Sequence, residues 1–390
     1  MGSMNMEGKN LEIFEVGPCE NYQLGFLIGQ RFSKLIRSRL STDLILQNQL
    51  LPFAQSPIST PLIHSLSETN RKAFPGYWDE LRGTSDGSGV PFLQILLLNF
   101  RKEILPFIRN EETQPEDNNN NDDCSDILVV NDSMAIAAHN EDANVALVGH
   151  TYLIKATLFD GTTFTAYTYA GELPSCAFGF NSHGVAFTLN SVPPTEEEIV
   201  AGSIGRNFIS RDLLESKSID DALTVSPFLH SLRHSLNQEN EPGIDRYYGF
   251  CALQRISSSE ASVGHSYNLV DTRTRRILNV ETASRYRVSV LEVGETPFFH
   301  ANMYLHLHVN QAHDENSLSR QKRAASLPKG SKSDYLELLG DMHDNKYPIY
   351  MTGPLLHTLC TAVIDMDERT LSIIQGNPKK NGASYVFSMS

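Results

Sequence analysis

Positive charge is in short supply. The 390 residues carry 32 Lys and Arg against 46 Asp and Glu, a formal net charge of −14. Phosphate binding needs a basic surface, so no nucleic-acid partner is expected. An anionic membrane surface is disfavoured for the same reason. Cysteine is also sparse: Cys19, Cys124, Cys176, Cys251 and Cys360 are odd in number, far apart and never in a CxxC pair. That pattern gives no zinc or redox motif. It suits a reducing compartment, so a cytoplasmic location is expected. No apolar run reaches the roughly 18 residues of a membrane span. The N-terminus lacks the charged-then-apolar pattern of a secretory signal. MGSMNM has Met where a myristoylation signal wants Ser or Thr, and the closing Ser-Met-Ser is not a clear peroxisomal address. There is no GxSxG elbow, no P-loop, no GxGxxG after a strand and no HExxH. His300, His306 and His308 hint at a metal, and His306 and His308 would share a strand face. No nearby Cys or third His closes such a site, so surface or core histidines are the better reading and no metal or cofactor is expected.

What is present supports a large folded body. Hydrophobic residues make up 40% of the chain and charged ones 20% with both signs mixed, which favours a sizeable core over disorder. The spacing of Leu24, Leu27, Ile28, Phe32, Leu35 and Ile36 predicts a helix over 21–53, ended by Pro52. Further helices are expected over 60–73, with Pro75 at or after the end, and over 92–106. The segment from Asn110 to Asp123, NEETQPEDNNNNDD, is acidic and Asn-rich and reads as a solvated flexible loop. From Ile127 the period becomes that of strands. Ile127–Val130 and Met134–Ala138 flank an Asn-Asp-Ser turn, and Thr151–Phe159 and Thr163–Tyr169 flank Asp160-Gly161. Ser175–Phe180 and Val185–Leu189 flank Asn181 to Gly184. Residues 206–225 and 333–341 read as helical. Strands are expected at 247–254, 264–270, 276–281 and 286–292, with a last hairpin of Thr358–Ile364 and Thr370–Ile374. Hairpin-linked strands with helices between them imply antiparallel sheets layered with helices, an α+β fold.

Cys124 stands at the boundary between the acidic loop and the first strand-like run. Most cysteines are small buried hydrophobes, and that reading serves the other four. If the Asp123–Cys124 bond were cut, however, Cys124 would open a strand with a free α-amine, whose ordinary pKa is about 8. That amine could accept the thiol proton, so nucleophile and base would come from one residue.

Several ordered motifs carry a family resemblance. GPCENYQLGFLIGQ resembles a small-residue helix opening, and FPGYWDELRG with LLLNFRKEI resembles a helical pro-segment. DDCSDILV stands at the nucleophile position, AAHNEDA follows it, and GFNSHGVAFTLNSV, NFISRDLLESKSIDDAL and FHANMYLH come after in order. Together they resemble the acyl-CoA:6-aminopenicillanate acyltransferase family of N-terminal-nucleophile hydrolases (peptidase family C45). YAGELP, ELLGD and TLCTAVIDMDERTLSIIQGNP resemble its insect N-β-alanyl-amine hydrolases in particular.

The resemblance implies an αββα sandwich of antiparallel sheets. It divides the chain into a helical pro-segment, residues 1–123, and a catalytic region, residues 124–390, that stay associated after self-cleavage between Asp123 and Cys124. It implies Cys124 as nucleophile and Asp142 as the group that orients the Cys124 ammonium. Asn190 and Asn302 become candidate oxyanion donors, and His139, Glu141, Tyr169 and Glu172 candidate pocket residues. Two departures stand out. The penicillin enzyme has Gly where Asp123 stands, and its Ser-Arg pair falls here on about Pro354 and Leu355, so that arginine is not carried over.

The expected activity is hydrolysis of a small N-acyl amine through an acyl-enzyme. Acidic pocket residues would suit a cationic substrate such as a β-alanyl or polyamine amide. An acyltransferase on the same scaffold and an uncleaved binding protein are the alternatives, and homo-oligomerisation is left open. A papain-like protease fits poorly, because its cysteine sits on a helix, whereas strands begin here at the cysteine.

Overall fold

A computed structural model describes residues 11–108, 123–174, 176–223, 256 and 260–389. Most of the acidic loop and the strand expected at 247–254 lie outside the described residues, as does Cys251.

The chain opens with strand β1 (Ile13–Cys19), followed by helices α1 (Asn21–Arg31), α2 (Ser33–Thr42), α3 (Leu51–Gln55), α4 (Thr60–Ala73), α5 (Pro75–Ser88), α6 (Phe92–Asn99) and α7 (Arg101–Ile104). Then come β2 (Ser125–Val130), β3 (Ala135–Asn144), β4 (Thr151–Leu158), β5 (Thr163–Tyr169), β6 (Phe178–Asn181) and β7 (Val185–Ser191). Helices α8 (Arg206–Leu213) and α9 (Ile219–Leu223) precede β8 (His265–Asp271), β9 (Arg276–Ala283), β10 (Arg287–Glu292) and β11 (Phe298–His300). Helices α10 (Glu315–Ala325) and α11 (Lys332–Leu339) lead to β12 (Leu356–Asp365), β13 (Thr370–Ile374) and β14 (Tyr385–Ser388).

The strands form an eight-stranded sheet, β1-β4-β5-β6-β7-β8-β9-β10, and a six-stranded sheet, β11-β2-β3-β12-β13-β14. Every ladder is antiparallel except β1 with β4. Side-chain alternation along each strand sets the layers. In β4, Leu153 turns inward to meet Leu128 and Ala137 of the other sheet, while Tyr152 and Ile154 turn outward beneath α1, α2, α5 and α6. In β2, Leu128 faces the first sheet while Ile127 and Val129 pack under Ala324 of α10 and Leu338 and Leu339 of α11. The order is therefore helix, sheet, sheet, helix, the αββα sandwich expected. Residues before and after Cys124 share one core between the first helical layer and the eight-stranded sheet.

The closest helical contact is between α1 and α5. Gly25 and Gly29 of α1 meet the backbone of Glu80, Thr84 and Ser88, and Gly83 and Gly87 of α5 meet that of Tyr22, Phe26 and Gln30; an added Cβ would lie 1.9 Å from Glu80 O at Gly25 and 2.1 Å from Tyr22 O at Gly83. Only hydrogen fits there, so the backbones touch. Gly83→Ala is expected to cost about 1–3 kcal/mol or more, read as a lower urea midpoint with unchanged slope. An unchanged midpoint would mean that the helices separate freely.

Four parts of the sequence reading need correction. The 21–53 helix is broken where Phe32 and Asp43 leave helical geometry. Pro52 does not end a helix but lies in the first turn of α3, where the missing N–H costs nothing; Pro75 follows α4 as expected and itself begins α5. Helix 206–225 is two helices, α8 and α9. His306 and His308 are on no strand; His306 hydrogen-bonds Ser289 and Asn279 at 2.8 Å each.

Candidate active site

Cys124 immediately precedes β2, which lies between β11 and β3 in the six-stranded sheet. The peptide bond before it is buried: Asp123 is 3% exposed and Cys124 2%. Arg320, fully buried on α10, holds this bond from one side. Its Nη1 donates to the carbonyl oxygens of Asp123 and Cys124 at 2.8 Å each and to Ser125 Oγ at 2.9 Å. Its Nη2 donates to Asn302 Oδ1 at 3.0 Å, and its Nε to Asn316 Oδ1 at 2.8 Å. Asn316 Nδ2 in turn donates to the Asp123 carboxylate at 2.7 Å. The fixed fork of guanidinium donors suits this work, since one planar group reaches several acceptors at once.

On the other side, β3 brings the Glu141 carboxylate and a backbone carbonyl to the thiol. Cys124 Sγ lies 3.8 Å from Glu141 Oε2 and 3.7 Å from the backbone oxygen of Asp142. His139, Glu141 and Asp126 form a buried row: His139 Nδ1 meets Asp126 Oδ1 at 2.8 Å and Nε2 meets Glu141 Oε2 at 2.9 Å. The hydroxyl of Tyr169, from the facing sheet, donates to Glu141. Cys124 Sγ and ligand atoms of His139 and Glu141 lie within 4.8 Å of one another, a grouping a metal ion could bridge. Both ring nitrogens of His139 are already turned to carboxylates, so the arrangement reads as a hydrogen-bonded row.

The electrostatics follow from burial. Desolvation, then the charge of Glu141, pushes the Cys124 thiol far above its ordinary range, with His139 opposing. Burial alone would depress His139, but the charge of Asp126 and the hydrogen bonds around the ring raise it well above its usual value. Desolvation raises Asp142 to about 8, against the pull of a hydrogen bond from Thr358 and the charge of Arg320. One oxygen of Asp142 accepts from Thr358, and the other has no partner among the described residues.

A carboxyl raised from 3.8 to about 8 binds its proton more tightly folded than unfolded. Its stabilising contribution is complete below pH 3.8 and is lost as pH rises through about 8. In an uncleaved Cys124→Ala chain, Asp142→Asn is therefore expected to raise stability at about pH 9 by on the order of 3 kcal/mol and to flatten the pH dependence. Urea unfolding across pH checks this; parallel curves would contradict it.

The other residues singled out from the sequence are placed as follows. Asn190, at the end of β7, donates to His300 Nδ1 at 3.4 Å, and its Oδ1 is buried without a partner among the described residues. Asn302 donates to Ser191 O at 2.9 Å while accepting from Arg320. Glu172 accepts from Arg39 Nη2 at 2.5 Å and from Asn207 Nδ2 at 2.9 Å, beside a cavity of about 30 Å³ that Tyr169 also lines. The structure thus gathers Asp123, Cys124, His139, Glu141, Asp142 and Tyr169, with Asn302 joined through Arg320. The sequence reading missed Arg320 and Asp126. Arg320 sits in a polar helix, ENSLSRQKRAA, where nothing marks one arginine as buried. Asp126 was legible only as the inward neighbour of His139 across the β2–β3 ladder.

Two antiparallel sheets between helical layers give the αββα fold of the N-terminal-nucleophile class, and the family match makes the protein an amide-hydrolysing or acyl-transferring enzyme of that class. The chain belongs to the acyl-coenzyme A:6-aminopenicillanic acid acyl-transferase family, whose model matches residues 129–231 and 252–380. It is 27% identical over 385 residues to the beta-alanyl-dopamine/carcinine hydrolase of Drosophila melanogaster, with 92% of each chain covered. Among solved structures it is similar to a variant of the conjugated bile acid hydrolase of Clostridium perfringens, with 11% identity, a TM-score of 0.36, and 68% of this chain and 92% of that one covered. Another is the penicillin V acylase of Agrobacterium tumefaciens, with 10% identity, a TM-score of 0.29, and 65% and 83% covered.

Proposed function

We propose that the protein cleaves itself between Asp123 and Cys124 and then hydrolyses a small N-acyl amine, of aminoacyl or β-alanyl type, through a Cys124 acyl-enzyme. The observation that carries this is the buried Asp123–Cys124 bond, its carbonyl held by Arg320 and its thiol set against the Glu141 carboxylate of β3. In the first stage Sγ attacks the Asp123 carbonyl, a thioester replaces the peptide bond, and water releases residues 1–123 from 124–390. The shared core keeps the fragments together.

In the second stage the freed α-amine takes the thiol proton. The thiolate attacks the substrate carbonyl, and the ammonium returns the proton to the leaving nitrogen. Asp142, one of whose buried carboxylate oxygens has no partner among the described residues, is the group assigned to hold that ammonium. Asn190 carries a second N–H on Nδ2 for the developing oxyanion. Asn302 acts by fixing Arg320. Glu141, Tyr169 and His139 border the substrate, and Glu172, paired with Arg39, lies further out.

The cationic substrate rests on the excess of carboxylates around the thiol and on the named activity of the fly relative. A panel of N-β-alanyl, N-acetyl and N-succinyl amines tests it: selective release from the β-alanyl donor supports the reading, and cleavage of only neutral or anionic donors overturns it. The family's own description is of an acyl transfer, so a second amine could replace water. Product analysis with and without a competing amine separates the two outcomes.

A further inference from the structure

This inference rests on the proposed self-cleavage and concerns a step that the free amine cannot serve. In the uncleaved chain the nitrogen of Cys124 is an amide, with no lone pair to take the thiol proton. The thiol is buried, and its own tendency to ionise is suppressed. Some other group must act. Glu141 and His139 both stand against Sγ, and His139, raised well above its usual value between two carboxylates, is the poorer acceptor of a proton.

We propose that Glu141 is the base of self-cleavage, positioned by His139 and Asp126, and that the protein uses two successive bases: Glu141 to mature and the Cys124 amine to turn over. Glu141 Oε2 is the side-chain oxygen that faces Sγ, at 3.8 Å. His139 binds that same oxygen at 2.9 Å, and Asp126 binds the far side of the imidazole at 2.8 Å. Asp126 raises His139 well above its usual value, so the ring carries its proton between the two carboxylates and fixes Glu141 Oε2 toward Sγ. Asp126 is itself anchored in the facing sheet. Thr188 Oγ1 donates to it at 2.9 Å, and Asn268 Nδ2 donates to Thr188 at 2.9 Å. The row is therefore complete only when the two sheets have docked, which ties cleavage to folding.

The step balances. Glu141 takes the proton from Sγ as the Sγ–C bond forms at the Asp123 carbonyl, and Arg320 meets the charge on oxygen. Glu141 returns the proton to the Cys124 nitrogen as the C–N bond breaks. Water then splits the thioester into the Asp123 carboxylate and the free thiol. The charged or titratable groups facing this centre are Asp123 at the scissile bond, Glu141, His139 and Asp142 on β3, Asp126 on β2, Tyr167 and Tyr169 on β5, Cys176 before β6, Cys360 on β12, and Arg320 on α10.

The test follows fragment appearance on denaturing gels for the freshly purified full-length parent, Glu141→Gln, Asp126→Asn and Cys124→Ala. Glu141→Gln is expected to slow cleavage about 100–10,000-fold. Its remaining rate should climb about tenfold per pH unit as hydroxide replaces the lost base, a rise the parent does not show. Asp126→Asn should slow cleavage while turnover per cleaved molecule falls by less than about tenfold. Parental cleavage rates in both variants would overturn the proposal, as would slow cleavage with no rise at high pH, or equal losses of cleavage and turnover in Asp126→Asn. Should Glu141→Gln fail to fold by circular dichroism, Asp126→Asn decides. A parent left intact, or a Cys124→Ala chain still cut, would instead sink the self-cleavage reading itself.

Discussion

An Arg320→Gln chain is expected to stay almost entirely uncut and to lose on the order of 3–5 kcal/mol of stability. The guanidinium is fully buried and serves acceptors on Asp123, Cys124, Ser125, Asn302, Asn316 and Ser317. Glutamine reaches few of these, and each buried acceptor left without a donor costs about 1–3 kcal/mol. The Asp123 carboxylate, 3.7 Å from Arg320, also loses its buried countercharge. Removal of the donor at the scissile carbonyl should slow cleavage a further 100–1,000-fold or so. Lysine should rescue poorly, because a single ammonium cannot span acceptors that a planar fork reaches together. Gels and urea unfolding, with Cys124→Ala as the uncut reference, measure both effects. Normal cleavage in Arg320→Gln would remove this residue from the account.

Asn190→Ala is expected to do the opposite: to mature normally and then fail at turnover. Arg320, not Asn190, holds the scissile carbonyl, so cleavage should proceed at close to the parental rate. Loss of the proposed oxyanion donor should then lower kcat by about 100–1,000-fold, with little change in KM. The unpartnered Oδ1 shows that the side chain is not fully committed to structure, so its removal should leave the fold intact. A variant that cleaves itself and turns over normally would contradict the role.

Much of the fold was legible because strand and turn chemistry are local. Asn181 folds back on the N–H groups of His183 and Val185, at 2.9 and 3.2 Å, and Gly184 takes φ +79°, as the Asn-Ser-His-Gly turn predicts. The outer helices were harder to read. In α5, Gly83 and Gly87 look like helix breakers, yet they are the residues that let α5 touch α1. Strand β1 was missed because it gains its meaning only from parallel pairing with β4, far along the chain. The site divides in the same way. Cys124 lies just before β2, and His139, Glu141 and Asp142 lie on the neighbouring β3, where periodicity can pair them. Arg320 and Asn302 reach the centre from a helix and a loop that only tertiary packing brings there.

The central claim is that Cys124 becomes a free N-terminus. Mass spectrometry with N-terminal sequencing of purified parent and Cys124→Ala protein tests it most directly. The account predicts two fragments in the parent, the larger beginning at Cys124, and one intact 43.5 kDa chain without turnover in the variant. A fully active parent whose Asp123–Cys124 bond is unbroken would contradict it.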